Sequence, residues 1–258
     1  MKYVALVVVM LVLCVGSLYA VDMKGLVLYL PFNEGSGTVA KDASGNGNDG
    51  ALQGKVDWVA GKYGKAVSVG DSDAKNAVIV KGSKSLDVTD QITMSAWVNI
   101  QGFKDNWNAI IGKNNTYMLH IDVDADATKK NARTDPLVWV GGTFGTWPST
   151  AAVQIPLGGW HHILATYDGK QILSYLDGVV GKPVAKTGKI DVTKADIAIG
   201  RDNRDCCVTR IMSSQIDDVM IFNRAVTANE AKELMGGNFT PVTPQTLVTT
   251  VWGQIKSQ

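Results

Sequence analysis

The chain has 258 residues, of which 45% are hydrophobic and 19% are charged, and its formal net charge is +1. This balanced charge argues against a protein that depends on electrostatic attraction to nucleic acid or to an anionic membrane. The length suits one large domain, which we expect to be soluble and monomeric.

The first twenty residues have the pattern of a secretory signal peptide. A lysine follows the initial methionine, an apolar run extends from Tyr3 to Val15, and small residues lead to Ala20. The run is shorter than the ~20 residues that span a bilayer. We therefore predict cleavage after Ala20 and a secreted, extracellular or periplasmic protein, with a retained anchor as the alternative. A folded domain is expected over 21–237, followed by a loosely attached tail at 238–258.

Short apolar runs separated by turn residues extend along most of this domain. Apolar and polar residues alternate from Ile92 to Ile100, which predicts a strand with two different faces. Asp-Gly pairs at 168–169 and 177–178 predict tight hairpin turns. Further strands are predicted at 26–30, 66–69, 77–80, 117–121, 137–140, 160–167, 171–176, 196–200 and 216–222.

One helix is predicted near the end of the domain. Thr227 and Glu230 have the spacing of a capping box, and Gly236 is placed to end the helix. A series of short strands with one short C-terminal helix predicts an all-β fold, a two-sheet antiparallel jelly-roll sandwich.

Recognisable motifs follow one another at 28–37, 42–50, 61–66, 92–98, 160–169, 175–178, 199–202 and 216–226. Together they resemble the laminin G-like, concanavalin A-like jelly-roll family of secreted proteins. The resemblance implies two sheets packed face to face and a binding or adhesion role toward carbohydrate or protein. Many members hold a structural calcium ion, and the same sandwich also carries glycosidases.

Oxygen-bearing side chains and glycines are concentrated at 42–50. Such a loop suits calcium, which takes six to eight oxygen ligands, but metal-free surface turns have the same composition. The family resemblance implies that this loop lies near the late Asp-Asp pair at 217–218, so we predict a structural calcium site. The alternative is that Arg201, Arg204 or Arg210 pairs with those aspartates. The predicted ligands are Asp42, Asn46, Asn48, Gly50, Asp217 and Asp218.

Three tryptophans are candidates for ligand binding. Trp107, Trp139 and Trp147 lie in or beside the loops at 102–109 and 139–149. Exposed indole faces stack on sugar rings, so these loops are the predicted carbohydrate surface. The alternative is that the rings pack over the sandwich, as most large aromatic side chains do.

Two other groups carry weaker signals for catalysis. Asp122, Asp124 and Asp126 alternate, but the glucanase branch of this fold has glutamates at the two outer positions, so the match fails there. His162 lies in a predicted apolar strand, and we expect a packed sheet residue.

The adjacent cysteines at 206 and 207 can form a vicinal disulfide or pair with another chain.

Taken together, these features of the sequence predict a secreted, non-catalytic module that binds carbohydrate or an extracellular protein. A glycoside hydrolase of the same fold and a surface or matrix component that self-associates through Cys206 or Cys207 are the alternatives.

Overall fold

The computed structural model describes residues 21–70, 75–123, 131–144, 153–204, 206–207, 210 and 212–237. The predicted signal peptide and tail lie outside this range, as do Asp124, Asp126 and Trp147.

Eighteen β-strands and one α-helix, α1 (Ala228–Met235), form in the described part of the chain, and one 3₁₀ turn covers Lys84–Leu86. In chain order the strands are β1 Leu26–Leu30, β2 Val39–Ala40, β3 Gly50–Gln53, β4 Asp57–Ala60, β5 Lys65–Val69, β6 Ala77–Val80, β7 Ile92–Phe103, β8 Trp107–Lys113, β9 Tyr117–Val123, β10 Asn131–Thr134, β11 Leu137–Val138, β12 Gln154–Pro156, β13 Trp160–Tyr167, β14 Gln171–Leu176, β15 Val179–Val180, β16 Val184–Ala185, β17 Ile197–Ile199 and β18 Met212–Phe222.

These strands form two antiparallel sheets. The first sheet has the order β15-β14-β13-β7-β18-β5-β4, and β1 also pairs with β18 and β16 with β14. The second has the order β12-β10-β9-β8-β17-β6-β3-β2, and β11 also pairs with β9. The predicted all-β, two-sheet antiparallel jelly-roll sandwich with one short helix is confirmed.

The core lies between the two sheets, and β7 shows why. Its polar and apolar residues alternate as predicted, so one side of the strand faces the core and the other faces outward. Burying one large aliphatic side chain contributes about 1.5–3 kcal/mol, and many such side chains interdigitate here. The core-facing residues of β7 are Ile92, Met94, Ala96, Val98 and Ile100.

The helix α1 packs on the outer face of the first sheet. Its predicted capping box is confirmed: Thr227 Oγ1 accepts from the Glu230 amide at 3.2 Å, and Glu230 Oε2 accepts from the Thr227 amide at 2.8 Å. Ala231 and Leu234 are buried against the sheet. Within the described residues, no helix is both long and apolar enough to cross a membrane.

Several strands escaped prediction because their sequence does not alternate. A bulge between Ala109 and Ile111 in β8 lets both Ile110 and Ile111 enter the core, which removes the two-residue period. The other missed strands are two to four residues long. The hairpin turn at 177–178 formed as predicted, since both Asp177 and Gly178 have positive φ, as a type I′ turn requires.

The burial of β1 allows a stability test. Leu30 is fully buried in the main core, so Leu30→Ala is expected to cost about 2–5 kcal/mol of unfolding free energy through lost burial and the cavity left behind. Urea titration followed by tryptophan fluorescence measures it. Val179→Ala is the control, since Val179 is 70% exposed, and it should change stability by less than about 0.5 kcal/mol. Equal effects of the two substitutions would contradict the placement of β1.

Candidate functional site

The Asp42 loop, residues 42–49, is fastened to β1 by side-chain hydrogen bonds. Asp42 Oδ1 accepts from the amides of Tyr29 at 3.0 Å and Ser44 at 2.9 Å. Its Oδ2 accepts from the Asn48 amide at 2.8 Å and from Ser44 Oγ at 2.8 Å. Both carboxylate oxygens of Asp42 are thus filled by N–H and O–H donors.

The asparagines of this loop also bind protein groups. Asn48 donates from Nδ2 to the Val27 carbonyl at 2.8 Å and accepts at Oδ1 from Ser83 Oγ at 2.7 Å. Asn46 Nδ2 donates to the Leu26 carbonyl at 3.2 Å. Gly50 is the first residue of β3 and pairs with Ala40 and Val80 in the second sheet. The contacts of Asn46 and Asn48 hold the loop against β1.

Asp217 and Asp218 lie in the middle of β18, because this strand begins at Met212, before the start of the strand predicted at 216–222. A register shift follows Asp217, and Asp218 has a φ of 48°, so the pair forms a β-bulge. Asp217 Oδ2 accepts from the Tyr63 amide at 3.0 Å, and Asp218 Oδ1 accepts from Tyr29 Oη at 2.9 Å. Tyr29 therefore binds Asp42 through its backbone and Asp218 through its hydroxyl.

Burial governs the electrostatics of this pair. Desolvation raises the pKa of Asp217, and the neighbouring carboxylate of Asp218 adds to the rise. Desolvation likewise raises the pKa of Asp218, against the lowering effect of the Tyr29 hydroxyl. Of the arginines proposed from the sequence, Arg204 and Arg210 both bind Asp202 instead of this pair.

The six predicted calcium ligands do not form one oxygen cage in this arrangement. The Asp42 oxygens and Asn48 Oδ1 point at protein donors, and Gly50 belongs to a sheet. Among the described residues, no group of three or more His, Cys, Asp or Glu side chains is placed to hold a metal ion. The structure does not fit calcium as drawn from the sequence, and calcium binding stays a prediction.

A second group of residues lies on the outer face of the second sheet. Trp107, 38% exposed, borders a cavity of about 150 Å³ together with Phe144, Arg204 and Arg210; we call this the Trp107 pocket. The Arg210 guanidinium lies over the indole ring, 4.9 Å from its centroid. Trp107 keeps the exposure predicted for it, but part of its ring is covered by a cation.

Asp202 holds the two arginines of the pocket. Its side chain is fully buried, and Oδ2 accepts from Arg204 Nη2 at 2.6 Å and from Arg210 Nη1 at 2.9 Å. His120 Nε2 lies 3.4 Å from Arg204 Nη2. Burial, followed by the charges of the two arginines, lowers the pKa of His120 well below its usual value, so this imidazole is neutral near pH 7.

The turn between the arginines contains the adjacent cysteines. Cys206 and Cys207 are bonded to each other. The Cys207 amide donates to the Arg204 carbonyl at 2.8 Å, and the Arg210 amide donates to the Cys207 carbonyl at 3.1 Å. The disulfide-bonded turn therefore connects the two arginine-bearing segments of the pocket. In the sequence, the arginines and aspartates that alternate around the two cysteines at 201–210 were the signal that could have indicated the arginine cluster of the pocket.

Trp139 requires a correction. It is 4% exposed and packs edge to face on Phe144, with ring centroids 5.2 Å apart. It therefore supports the pocket from behind and offers no face to a ligand, because Ala109, Met118 and Leu137 enclose it with Phe144.

The possible catalytic residues are held in structural contacts. Asp122 is almost fully buried and forms an ion pair with Arg133, its cross-strand partner in β10. His162 is buried on the outer face of the first sheet, where its Nε2 lies 2.8 Å from Ser95 Oγ and its ring packs 5.3 Å from that of Trp97.

The fold defines the class of protein, a concanavalin A-like sandwich. The chain belongs to the concanavalin A-like lectin/glucanase superfamily, whose laminin G-like profile matches residues 71–232. No curated protein sequence matches the chain significantly.

Solved structures share this fold at low sequence identity. Domain 4 of AbnA, a GH43 extracellular arabinanase of Geobacillus stearothermophilus solved with arabinotriose, is 17% identical, with a TM-score of 0.59 over 81% of this chain and 98% of that one. The binding domain of botulinum neurotoxin serotype G is 16% identical, with a TM-score of 0.62 over 82% of this chain and 50% of that one. The binding domain of Paraclostridial Mosquitocidal Protein 1 is 17% identical, with a TM-score of 0.59 over 83% and 52%. The chain thus spans about half the length of the two toxin domains.

The hydrogen bonds of Asp42 generate a prediction that separates them from metal binding. Asp42→Ala removes four of them and should cost about 2–4 kcal/mol. If these hydrogen bonds hold the loop without a metal ion, EDTA should leave the melting temperature of the unaltered protein unchanged. Differential scanning calorimetry with EDTA or with added calcium measures both. A melting temperature that falls in EDTA, recovers with calcium and loses this response in Asp42→Ala would instead support the calcium site.

The buried His162 generates a pH prediction. Burial lowers its pKa to about 4, whereas an unfolded chain has a histidine pKa of about 6.5. Between these values the unfolded chain binds more protons, so this residue makes stability fall as the pH drops. Denaturant titrations at pH 7 and pH 4.5 give the stability that each protein loses on acidification. This loss should be about 2–3 kcal/mol smaller for His162→Gln than for the unaltered protein. Equal losses in both proteins would refute the buried, neutral imidazole.

Proposed function

We propose that this chain is a secreted, non-catalytic binding module that binds carbohydrate in the Trp107 pocket. The observation that supports it most directly is the meeting of an exposed indole, a second aromatic ring and two oriented guanidinium groups in one cavity. Sugars present both apolar C–H faces and hydroxyl groups, so a wall of aromatic rings with fixed N–H donors matches both.

The size of the pocket supports recognition of one sugar unit. A cavity of about 150 Å³ is smaller than the roughly 300–1,000 Å³ of drug-sized sites. A second cavity of about 290 Å³ is bordered by residues of the same β17–β18 loop, Arg201 and Asn203, and by Gln53 and Asn114. Polar side chains there would suit neighbouring units of an oligosaccharide.

The similar structures add support for a carbohydrate ligand. One of them, the arabinanase domain, was solved with arabinotriose. Two further similar structures differ in their partners: the binding domain of botulinum neurotoxin DC is in complex with the protein rat synaptotagmin II, and cell entry of botulinum neurotoxin type C depends on two ganglioside molecules, which carry sugars. An extracellular protein is therefore the competing ligand class for this chain.

A binding role is favoured over hydrolysis by the state of the acidic residues. Hydrolysis of a glycosidic bond normally needs two carboxyl groups placed on either side of it. Asp122 is neutralised by Arg133, and Asp202 by two arginines. Neither of these two carboxylates is available as a nucleophile or a general acid.

Secretion is supported by two features. The first twenty residues have the pattern of a signal peptide, and the bond between Cys206 and Cys207 suits an oxidising compartment.

The role of Trp107 is tested with a glycan array followed by calorimetry on the glycans that bind. Trp107→Ala should weaken binding at least about tenfold, because it removes an anchor and the surface under Arg210, while Trp107→Phe should retain part of the affinity. Tyr63→Ala replaces an exposed aromatic residue in the β4–β5 turn of the first sheet and should leave binding unchanged. Thermal melts confirm that each variant folds.

Two outcomes would contradict this proposal. An array without any bound glycan would reject the carbohydrate ligand in favour of a protein partner. Unaltered glycan binding by a folded Trp107→Ala variant would reject the location of the site.

A further inference from the structure

The Trp107 pocket has an excess of positive charge that the proposed function does not explain. Among the described residues around it, the charged groups at its base are Asp202, Arg204 and Arg210, and His120 beside them is neutral. Asp122, which lies across from Trp107, is paired with Arg133 and adds no net charge. One buried carboxylate thus faces two guanidinium groups. An ion pair of one acid and one base would have been sufficient to satisfy Asp202, so the second arginine leaves a net positive charge among these described groups.

The hydrogen-bond donors of the arginines are only partly used. Arg210 donates from Nη1 to Asp202, and within the described residues its Nε and Nη2 have no partner. Arg204 uses Nε and Nη2 for Asp202. The Arg210 and Arg204 side chains are 19% and 13% exposed, so their charges are largely withdrawn from water. An anion that enters here meets oriented donors whose interaction is weakly screened.

The position of Arg210 also changes what a ligand must contact. Its guanidinium lies over the Trp107 ring, so a ligand approaching this side of the indole meets the guanidinium first. The indole holds the guanidinium through a cation–π interaction, while Asp202 fixes its direction. A planar group held at two points is prepared for a bidentate contact with an oxyanion.

We propose that the Trp107 pocket selects an anionic sugar, whose carboxylate or sulfate group binds Arg210, with Arg204 beside it. This inference rests on the proposed carbohydrate-binding function and specifies its ligand class. The shared chemistry is an oxyanion on a sugar ring, from either a uronic acid or a sulfate ester.

Two matched pairs of probes test the charge requirement by calorimetry. Trigalacturonate is compared with its fully methyl-esterified, uncharged form, and dextran sulfate is compared with dextran. At least one charged probe should bind at least about tenfold more tightly than its neutral partner, and its affinity should fall as salt rises from 50 to about 300 mM. The carboxylate pair and the sulfate pair distinguish the two sources of the anion.

Arg210 is tested by substitution with a matched control. Arg210→Gln should weaken the binding of the charged probe at least about tenfold. Arg210→Lys should retain only part of the affinity, because lysine lacks the planar bidentate geometry. Lys232→Gln removes the same charge from α1, on the opposite side of the sandwich, and should leave affinity unchanged. The salt dependence of the unaltered protein remains as a test if Arg210→Gln fails to fold.

The outcomes separate this inference from the proposed function. In one outcome, glycans bind and Trp107→Ala abolishes their binding, but charged and neutral probes bind equally and Arg210→Gln has no effect. The site is then right and the anionic ligand is wrong. If neither probe pair nor the glycan array gives binding, both proposals fail. Preference for a charged probe that Arg210→Gln removes supports both.

Discussion

The β-bulge at Asp217 and Asp218 is the constraint on which the first sheet depends. β18 is hydrogen-bonded to β7, β5 and β1, so a change in its direction affects three neighbours at once. Adjacent residues of a regular strand point to opposite faces, and the bulge releases Asp218 from this rule. It lets Asp217 bind the Tyr63 amide of the β4–β5 turn and Asp218 bind the Tyr29 hydroxyl of β1. Two buried acids thereby connect three separate parts of the sheet.

The Asp42 loop shows how a composition typical of calcium sites also serves hydrogen bonding. A carboxylate that accepts from several N–H and O–H groups satisfies the same requirement for electrostatic balance that a cation would satisfy. Here Asp42 accepts from the amides of a bent loop and from Tyr29, and the glycines allow the loop to present them. The sequence indicates the concentration of oxygen atoms, but the direction of the neighbouring donors is set only by the folded chain.

Much of the fold follows from local sequence, whereas most of the pocket does not. β13 and β14 begin and end where their apolar runs and Asp-Gly turns predicted, and α1 follows its capping box, because these signals are contained within a few residues. β8 was missed since its bulge interrupts the alternation.

In the pocket, Trp107 could be predicted from the sequence as an aromatic residue beside a loop. The pairing of Arg204 and Arg210 with Asp202 was not, because polar loop residues choose partners by proximity in the folded state. Trp139 was misplaced for the same reason: Phe144, whose packing buries it, carries no signal of that contact.

The helix α1 makes the two outer faces of the sandwich different. Val21, where the described chain begins, packs in the same cluster as Leu234 near the end of α1, on the outer face of the first sheet. The Trp107 pocket is on the outer face of the second sheet, across the full thickness of the sandwich. The two ends of the described range therefore lie on the side of the sandwich opposite the pocket, and the outer face of the second sheet carries neither of them.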